Sequence, residues 1–347
     1  MIRVLVVDDS AVVRQLCQQV LSKDPDIQVV GTAPDPYVAR DLILELNPEV
    51  MTLDVEMPRM DGISFLRRVM RFRPIPTIVL SSLTPKGGDL AMDALDAGAV
   101  DVLCKPGASY TLGEMASELV ASVKRAATAE FRRPVAHANA PLPAAQRPLA
   151  RMTNQILAIG ASTGGTVAIE KILRAMPANG PATVIAQHMP PAFTAQFANR
   201  LNAISKMEVR EATHEEWLSP GVALVAPGGK HLVLRRSGAR YLVHVKDGPL
   251  VGGYRPSVDV LLRSVALAAG RNAVGVVLTG MGADGARGLL EMRSAGAATI
   301  AQDEATSVVY GMPKVAFETG AAELVLPIDQ ITPRILKIIE ARDMQHN

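Results

Sequence analysis

At 347 residues, with 48% hydrophobic but only 3% aromatic side chains, the chain can fill two cores, built mainly from Ala, Val, Leu, Ile and Met. So few aromatics argue against a base-stacking platform for single-stranded nucleic acid, and no apolar run approaches the roughly 20 residues that span a bilayer. The formal charge of +2 is uneven: residues 1–122 hold 11 Lys/Arg against 17 Asp/Glu, residues 123–152 hold 6 against 1, and residues 153–347 hold 19 against 16.

The opening run MIRVLVVDDS meets two carboxylates almost at once and lacks the cleavage region of a signal peptide. Cys17 and Cys104 have no metal-ligand spacing and read as small buried apolar residues of a reducing compartment, the cytoplasm.

IRVLVVDD is a continuously apolar strand, as a parallel strand buried on both faces should be, and Asp8 and Asp9 end it. The pattern then predicts a helix over Ser10–Ser22, a strand near Gln28–Thr32, a helix through Ala39–Leu46 and a strand ending at Asp54 in EVMTLDVEMPRMDG. Two more strands follow, PTIVLSS to Ser81 and AVDVLCKP to Lys105. Alternating strands and helices predict a doubly wound (βα)5 sheet, in which ligands gather beyond the carboxyl ends of the strands. Asp8, Asp9, Asp54, Ser81 and Lys105 should therefore converge. Three close carboxylates need a hard cation, and oxygen ligands with room for water suit Mg²⁺. A lysine and a hydroxyl beside them can hold a phosphoryl group, with Asp54 the best-placed acceptor. Any one of these acids could merely cap a helix. Together, the DD pair, LDVEMPRMDG, VLSS and CKP resemble a response-regulator receiver domain over residues 1–122. The resemblance implies Asp54 as phosphoacceptor and a Mg²⁺ site of Asp8, Asp9, Asp54 and the Val55 or Glu56 backbone. It implies Ser81 and Lys105 as the residues that couple phosphate to conformation.

Residues 123–152 include FRRPVAHANAPLPAAQRPLAR, rich in Pro and Ala and without apolar periodicity, and read as a basic linker. From 153 to 347 strands and helices alternate again: ILAIGAS, ATVIAQHM, GVALVAPG, AVGVVLTGMG and AATIAQDE are strands, with PPAFTAQFANRL and SVDVLLRSVALAAG as helices between them. A second doubly wound, mainly parallel α/β domain is expected.

Within it, Gly160-Ala161-Ser162-Thr163-Gly164-Gly165 has the G-x-S-x-G pattern of a nucleophile elbow, although the same string can be a bland tight turn. A dinucleotide fingerprint fits worse, because Gly is missing at its second position. A nucleophilic Ser162 needs a base. His244 sits mid-strand, His214 lies in a charged stretch and His231 follows a Gly-Gly turn, whereas His188 ends an apolar strand on the same rim as Ser162. For the orienting acid, Asp284 in the glycine-rich loop GMGADG is preferred to Asp303, since Gly280, Gly282 and Gly285 permit close approach. The order Ser-His-Asp does not fit the α/β-hydrolase fold. Tyr254, Arg255 and Ser257 either line a substrate groove or support the helix after them.

IGASTGGTVA, QHMPPAFTAQFANRL, APGGKHL, YRPSVDVLLRSVA, LTGMGADGARGL and AQDEATSVVYGMP resemble the protein-glutamate methylesterase domain of chemotaxis. Joined to a receiver, they are similar to the chemotaxis response regulator methylesterases, the CheB family. The resemblance implies Ser162 as nucleophile, His188 as base and Asp284 as orienting acid. It puts Thr163 and Met281 close to the reacting carbon, with Gly282 a further candidate neighbour of the oxyanion. The implied substrates are glutamate γ-methyl esters, and glutamines, on methyl-accepting chemotaxis receptors. A chemotaxis histidine kinase is the implied phosphodonor, and phosphorylation would open the Ser162 rim to substrate. Hydrolysis itself calls for no cofactor, and neither a nucleic acid nor membrane insertion is expected. The competing readings are a phosphorylation-gated adaptor without catalysis, a DNA-binding regulator, disfavoured by the weakly basic second half, and a general small-molecule serine hydrolase.

Overall fold

The computed structural model describes residues 1–57, 60–82, 84–105, 112–127 and 154–345. Two compact units divide the chain, Met1–Arg132 and Arg133–Asn347.

In the first unit β1 (Ile2–Val7), β2 (Ile27–Ala33), β3 (Val50–Asp54), β4 (Thr77–Ser81) and β5 (Asp101–Cys104) alternate with α1 (Ala11–Leu21), α2 (Pro36–Leu46), α3 (Gly62–Phe72), α4 (Pro85–Asp96) and α5 (Leu112–Ala127). The strands form one parallel sheet in the order β2-β1-β3-β4-β5. Val4, Val6, Ile78, Leu80, Leu103 and Leu119 lie in its core. Side chains set the helix starts: Ser10 accepts from the Val13 amide, Asp35 from those of Tyr37 and Val38, and Asp61 from that of Ser64. The helices differ from the sequence expectation at their ends. Ser10 and Ser22 cap α1 from outside, and α2 begins three residues early because Pro36 is preorganised for the first turn. α5 runs on to Ala127, so residues 123–127 of the expected linker are helical; 128–152 lies outside the described residues. Leu119, Val123 and Ala126 are buried along one face of that helix, which is why it continues past 122.

The second unit holds a seven-stranded sheet, wholly parallel, in the order β15-β14-β13-β6-β7-β10-β8. Its strands are β6 (Ile156–Ala161), β7 (Ala182–Gln187), β8 (Glu208–Glu211), β10 (Val222–Val225), β13 (Ala273–Val277), β14 (Ala298–Gln302) and β15 (Leu324–Leu326). The helices are α6 (Gly165–Ala175), α7 (Pro191–Ile204), α8 (Val258–Ala269), α9 (Ala286–Ser294), α10 (Met312–Glu318) and α11 (Ile328–Gln345). Each of β6, β7, β13 and β14 is buried along its whole length, the cause of their continuous apolar runs. α8 packs tightly on β6: a Cβ at Gly160 would stand 2.0 Å from Val258 Cγ1.

A small antiparallel sheet in the order β11-β12-β9 was not foreseen as a layer; its strands are β9 (Glu216–Leu218), β11 (His231–Ser237) and β12 (Arg240–Lys246). Leu232, Leu234, Tyr241 and Val243 alternate inward from it and join the main core. Among the described residues no helix is long and apolar enough to cross a membrane.

Strand order reverses at β1/β3 in the first sheet and at β6/β13 in the second. Such reversals open a crevice at the carboxyl ends, which is where both candidate sites lie.

Candidate active site and phosphoacceptor site

At the first crevice, Asp54 is the last residue of β3, Ser81 the last of β4, and Asp8 and Lys105 follow β1 and β5 directly. Ligand oxygens of Asp8, Asp9 and Asp54 lie within 4.8 Å of one another. Asp8 and Asp54 are buried and Asp9 is exposed. Lys105 Nζ sits 2.7 Å from Asp54 Oδ2 and 3.0 Å from Asp8 Oδ2, and neither Oδ2 has a further hydrogen bond among the described residues. The second oxygens are held by backbone: the Ser10 amide donates to Asp8 Oδ1 and the Glu56 amide to Asp54 Oδ1. Burial pushes the Asp8 carboxyl above its ordinary range, with Asp54's charge adding to it and Lys105 opposing. Burial pulls Lys105 down, but the hydrogen bond and charge of Asp54, with those of Asp8, raise it overall. Three carboxylates against one ammonium leave an excess of negative charge, and the two Oδ2 atoms that face only Lys105 suit a hard dication. The residues present therefore fit Mg²⁺. Ser81 is fully buried beside this cluster in the sheet, and its carbonyl accepts from the Lys105 amide at 2.9 Å.

At the second crevice, the register pairs Ala161 with Gln187, so Ser162 and His188 leave neighbouring strands side by side. Ser162 is 6% exposed and its amide donates to Thr279 O at 3.0 Å, which fixes the bend against the end of β13. Gly164 begins α6 at φ 75°, a conformation that favours glycine, and the elbow is closed by the Gly165 amide donating to Ser162 O. A Cβ on Gly280 would lie 2.7 Å from Ser162 Cβ and 2.4 Å from Met312 Sδ, so the serine can sit here only against a glycine.

His188 Nε2 lies 2.8 Å from Asp284 Oδ2. The same carboxylate accepts the Val258 amide at 2.7 Å, the Asp259 amide at 2.9 Å and Ser257 Oγ at 2.9 Å. Asp284 thus closes the N-terminus of α8 and holds the imidazole at once. Burial drives its pKa up, but the His188 hydrogen bond and charge and the Asp259 and Val258 amides outweigh that and leave it lowered. An ionised Asp284 fixes the imidazole proton on Nε2, so Nδ1 carries the lone pair. Nδ1 is buried and has no partner among the described residues. Tyr254 stacks on the ring at 3.8 Å between centroids and 7° between planes.

Thr163 is buried, its carbonyl accepts Thr279 Oγ1 at 2.9 Å, and its amide donates to no acceptor among the described residues. Met281 is half-buried, and Gly282 is exposed at φ 86° with Tyr254 Oη 3.7 Å from where a Cβ would stand. The alternatives considered from sequence lie elsewhere. Asp303 accepts from the Thr306 amide at 3.0 Å in a turn after β14, and His214, in the turn before β9, meets His244 of β12 edge to face at 5.1 Å. Ser257 caps α8 and touches Asp284, whereas Arg255 donates to Gly248 O.

Three supporting residues were not singled out from sequence. Gln187 Nε2 donates to both Ser162 O at 2.9 Å and His188 O at 3.1 Å, tying the two loops together. Asp259, in the first turn of α8, accepts the amides of Gly285 and Gly288 at the start of α9 at 2.9 and 2.8 Å. Burial, with the repulsion of Asp284 among the lesser causes, raises its pKa against the pull of those amides. Thr279 bridges the elbow to Val309. Only the apolar-to-polar change at the end of each strand hinted at the first and last of these, and nothing local pointed to Asp259.

Residues 157–335 match the family model of the CheB methylesterase, and residues 4–117 match that of the response regulator receiver domain. The chain belongs to the CheB methylesterase family. It is 64% identical over 342 residues to protein-glutamate methylesterase/protein-glutamine glutaminase 4 of Anaeromyxobacter dehalogenans (strain 2CP-C), covering 97% of this chain and 95% of that one. It is 52% identical over 346 residues to a similarly named protein, number 2, of Syntrophus aciditrophicus (strain SB), covering 97% and 99%. The crystal structure of the Thermotoga maritima CheB methylesterase catalytic domain superimposes with a TM-score of 0.53 at 36% identity, covering 54% of this chain and all of that one. This CheB family member thus joins a receiver domain of two-component signalling to a hydrolase domain of chemotaxis.

Proposed function

We propose that the second unit hydrolyses glutamate γ-methyl esters on the cytoplasmic helices of chemotaxis receptors, and glutamines at such sites, and that a histidine kinase raises this activity by phosphorylating Asp54. The observation that carries the reading is the Asp284–His188 pair, 2.8 Å long, on the rim where Ser162 leaves the adjacent strand.

Ser162 Oγ gives its proton to His188 Nδ1 and bonds to the ester carbonyl carbon. The resulting imidazolium is held by Asp284 through Nε2. The oxyanion takes hydrogen bonds from backbone N–H groups of the elbow and the facing glycine-rich loop, with Thr163, Met281 and Gly282 as the candidate neighbours; one such donor supplies roughly 3 kcal/mol. As the C–O bond to the methoxy group breaks, His188 returns the proton and methanol leaves. Water, deprotonated by Nδ1, then attacks the acyl-enzyme, and Ser162 and the glutamate carboxylate are released. For glutamine only the leaving group changes, to ammonia.

In the receiver, Mg²⁺ held by Asp8, Asp9 and Asp54 would offset the charge of the incoming phosphoryl group. Asp54 supplies the accepting oxygen. Lys105 and Ser81 take up the phosphoryl oxygens and carry the change into β4 and β5.

Methanol release from methylated receptor membranes, by wild type and Ser162→Ala with and without a small phosphodonor, tests the whole reading. Release stimulated by the phosphodonor and lost in Ser162→Ala is expected. Unchanged release from the variant would return Ser162 to filling a turn, and no release from the wild type would favour the adaptor reading.

A further inference from the structure

Asp284 holds His188 through one nitrogen, and that restraint is incomplete. A hydrogen bond at Nε2 opposes a flip of the ring, because a flip would put a carbon against the carboxylate. It resists tilting about the Cβ–Cγ bond only weakly, and tilting changes where Nδ1 points relative to Ser162, which leaves the neighbouring strand. Tyr254 supplies what is missing: its ring lies parallel to the imidazole at 3.8 Å and 7°, so any tilt drives imidazole atoms into the phenol face.

The segment carrying Tyr254 is built to deliver that ring. Val251 and Tyr254 exchange backbone hydrogen bonds of 3.1 Å across a turn whose two middle residues are Gly252 and Gly253, at φ 62° and 89°. The ends of the segment are clamped by one buried histidine: His231 Nδ1 accepts the Ser257 amide at 3.2 Å, and His231 Nε2 donates to Pro249 O at 2.9 Å. The Gly229 amide adds a bond of 3.1 Å to Arg255 O. A turn tied at both ends, beside a catalytic loop and half-burying an aromatic ring, is more than a covering for α8.

We infer that Tyr254 is a positioning residue for the base: it locks the imidazole plane so that Nδ1 faces Ser162, and its π-face receives the charge when that nitrogen takes up a proton. The electron-rich face of a phenol lies under a ring that becomes an imidazolium on acylation, a favourable cation–π arrangement. The inference rests on the Ser162–His188–Asp284 reading.

The test uses the full-length chain as Tyr254→Phe, Tyr254→Leu, Tyr254→Trp and Ser162→Ala. Methanol release from methylated receptor membranes gives kcat and KM, ¹⁵N spectra of histidine-labelled protein report the His188 ring nitrogens, and thermal unfolding reports folding. Tyr254→Leu should lower kcat about 10- to 100-fold with KM within about threefold of wild type, as misplacement of a reacting group does. Tyr254→Phe should stay within about threefold in both, since the stack survives. The His188 spectrum should show the proton fixed on Nε2 in wild type and Phe, and an averaged pattern in Leu. A raised KM with unchanged kcat in Tyr254→Leu would make the ring a wall of the substrate groove, and equal losses in Phe and Leu would assign the effect to the hydroxyl; either overturns the inference. Should Leu not fold, Tyr254→Trp decides: a wild-type His188 spectrum supports the stack, an averaged one refutes it. Full methanol release from Ser162→Ala would defeat the site reading instead, while the His188 spectra still judge the stack.

Discussion

Which nitrogen of His188 meets Asp284 decides what each ionisable residue around it must do. With Nε2 spoken for, the proposed mechanism makes Nδ1 the base and requires Asp284 to stay ionised in a buried setting that disfavours it. Two backbone amides, Ser257 and His188 keep it so. A carboxyl whose folded pKa lies below the ordinary 3.8 adds stability above that value and loses it as pH falls through the lowered one. The stability gap between wild type and Asp284→Asn, measured by urea unfolding, should therefore be full at neutral pH and shrink as pH drops below 3.8. Activity should fall by about 10⁴ in the same variant through the wrong tautomer. Asp8 carries the opposite sign. Its raised pKa means that stability declines as pH rises from 3.8 through the folded value, because the native state holds the proton longer. Asp8→Asn should accordingly raise the thermal midpoint of the receiver without Mg²⁺ and abolish the further rise that Mg²⁺ gives the wild type. A Mg²⁺-dependent rise of equal size in the variant would remove Asp8 from the metal site.

Elements explain why so much of both sites could be read from the chain. Parallel strands buried on both faces advertise themselves as apolar runs, and polar residues at the ends of those runs mark the carboxyl edge; Asp8, Asp54 and His188 were singled out this way, and Ser162 by its G-x-S-x-G string as well. The antiparallel sheet escaped because β9 is three residues long and the short apolar runs of β11 (HLVLRRS) and β12 (RYLVHVK) do not say which strands pair. Contacts distant in sequence escaped too. Asp284, which precedes α9, caps α8, and Asp259, which opens α8, caps α9. This exchange of carboxylates aligns two helices on the loop that carries Asp284, and no local pattern encodes it. Asp259→Ala leaves the Gly285 and Gly288 amides without an acceptor and should cost about 1–3 kcal/mol in chemical denaturation, with a loss of activity, although Asp259 does not touch His188. Gly280→Ala acts on the other side of the crevice. Its methyl group would collide with Ser162 Cβ and Met312 Sδ, so it should cost about 1–3 kcal/mol and displace the serine. A Gly280→Ala protein of wild-type stability and activity would contradict the tight packing of the elbow.

At the scale of the whole molecule, each unit has its own core and its own crevice, and the proposed regulation would be an energetic coupling between them. Charge marks the division: residues 1–122 carry 11 Lys/Arg against 17 Asp/Glu, while the Pro- and Ala-rich segment 123–152 carries 6 against 1. Phosphorylation of Asp54 would replace a carboxylate's single charge with an acyl phosphate carrying about 1.5–2, adding at most about one further negative charge to a cluster already short of cations. The nearest structural consequence would fall on Lys105, which follows β5, and Ser81, which ends the neighbouring β4; the Lys105 amide donates to Ser81 O. A near-complete switch needs about 5.5 kcal/mol of preference between states, and a partial one proportionately less. If the unphosphorylated receiver restrains the hydrolase, removing it should release what phosphorylation releases. A fragment of residues 154–347, which keeps the seven-stranded sheet and its core intact, should hydrolyse methylated receptors faster than the unphosphorylated full chain and ignore the phosphodonor. Fragment and phosphorylated chain of equal rate would make relief of restraint the whole effect. A fragment no faster than the unphosphorylated chain would mean that the receiver activates instead, by adding affinity for the substrate once Asp54 is modified. Comparing kcat with KM separates the two, since a lifted restraint on a rigid site changes kcat/KM without the receiver being present, whereas added affinity disappears with the receiver.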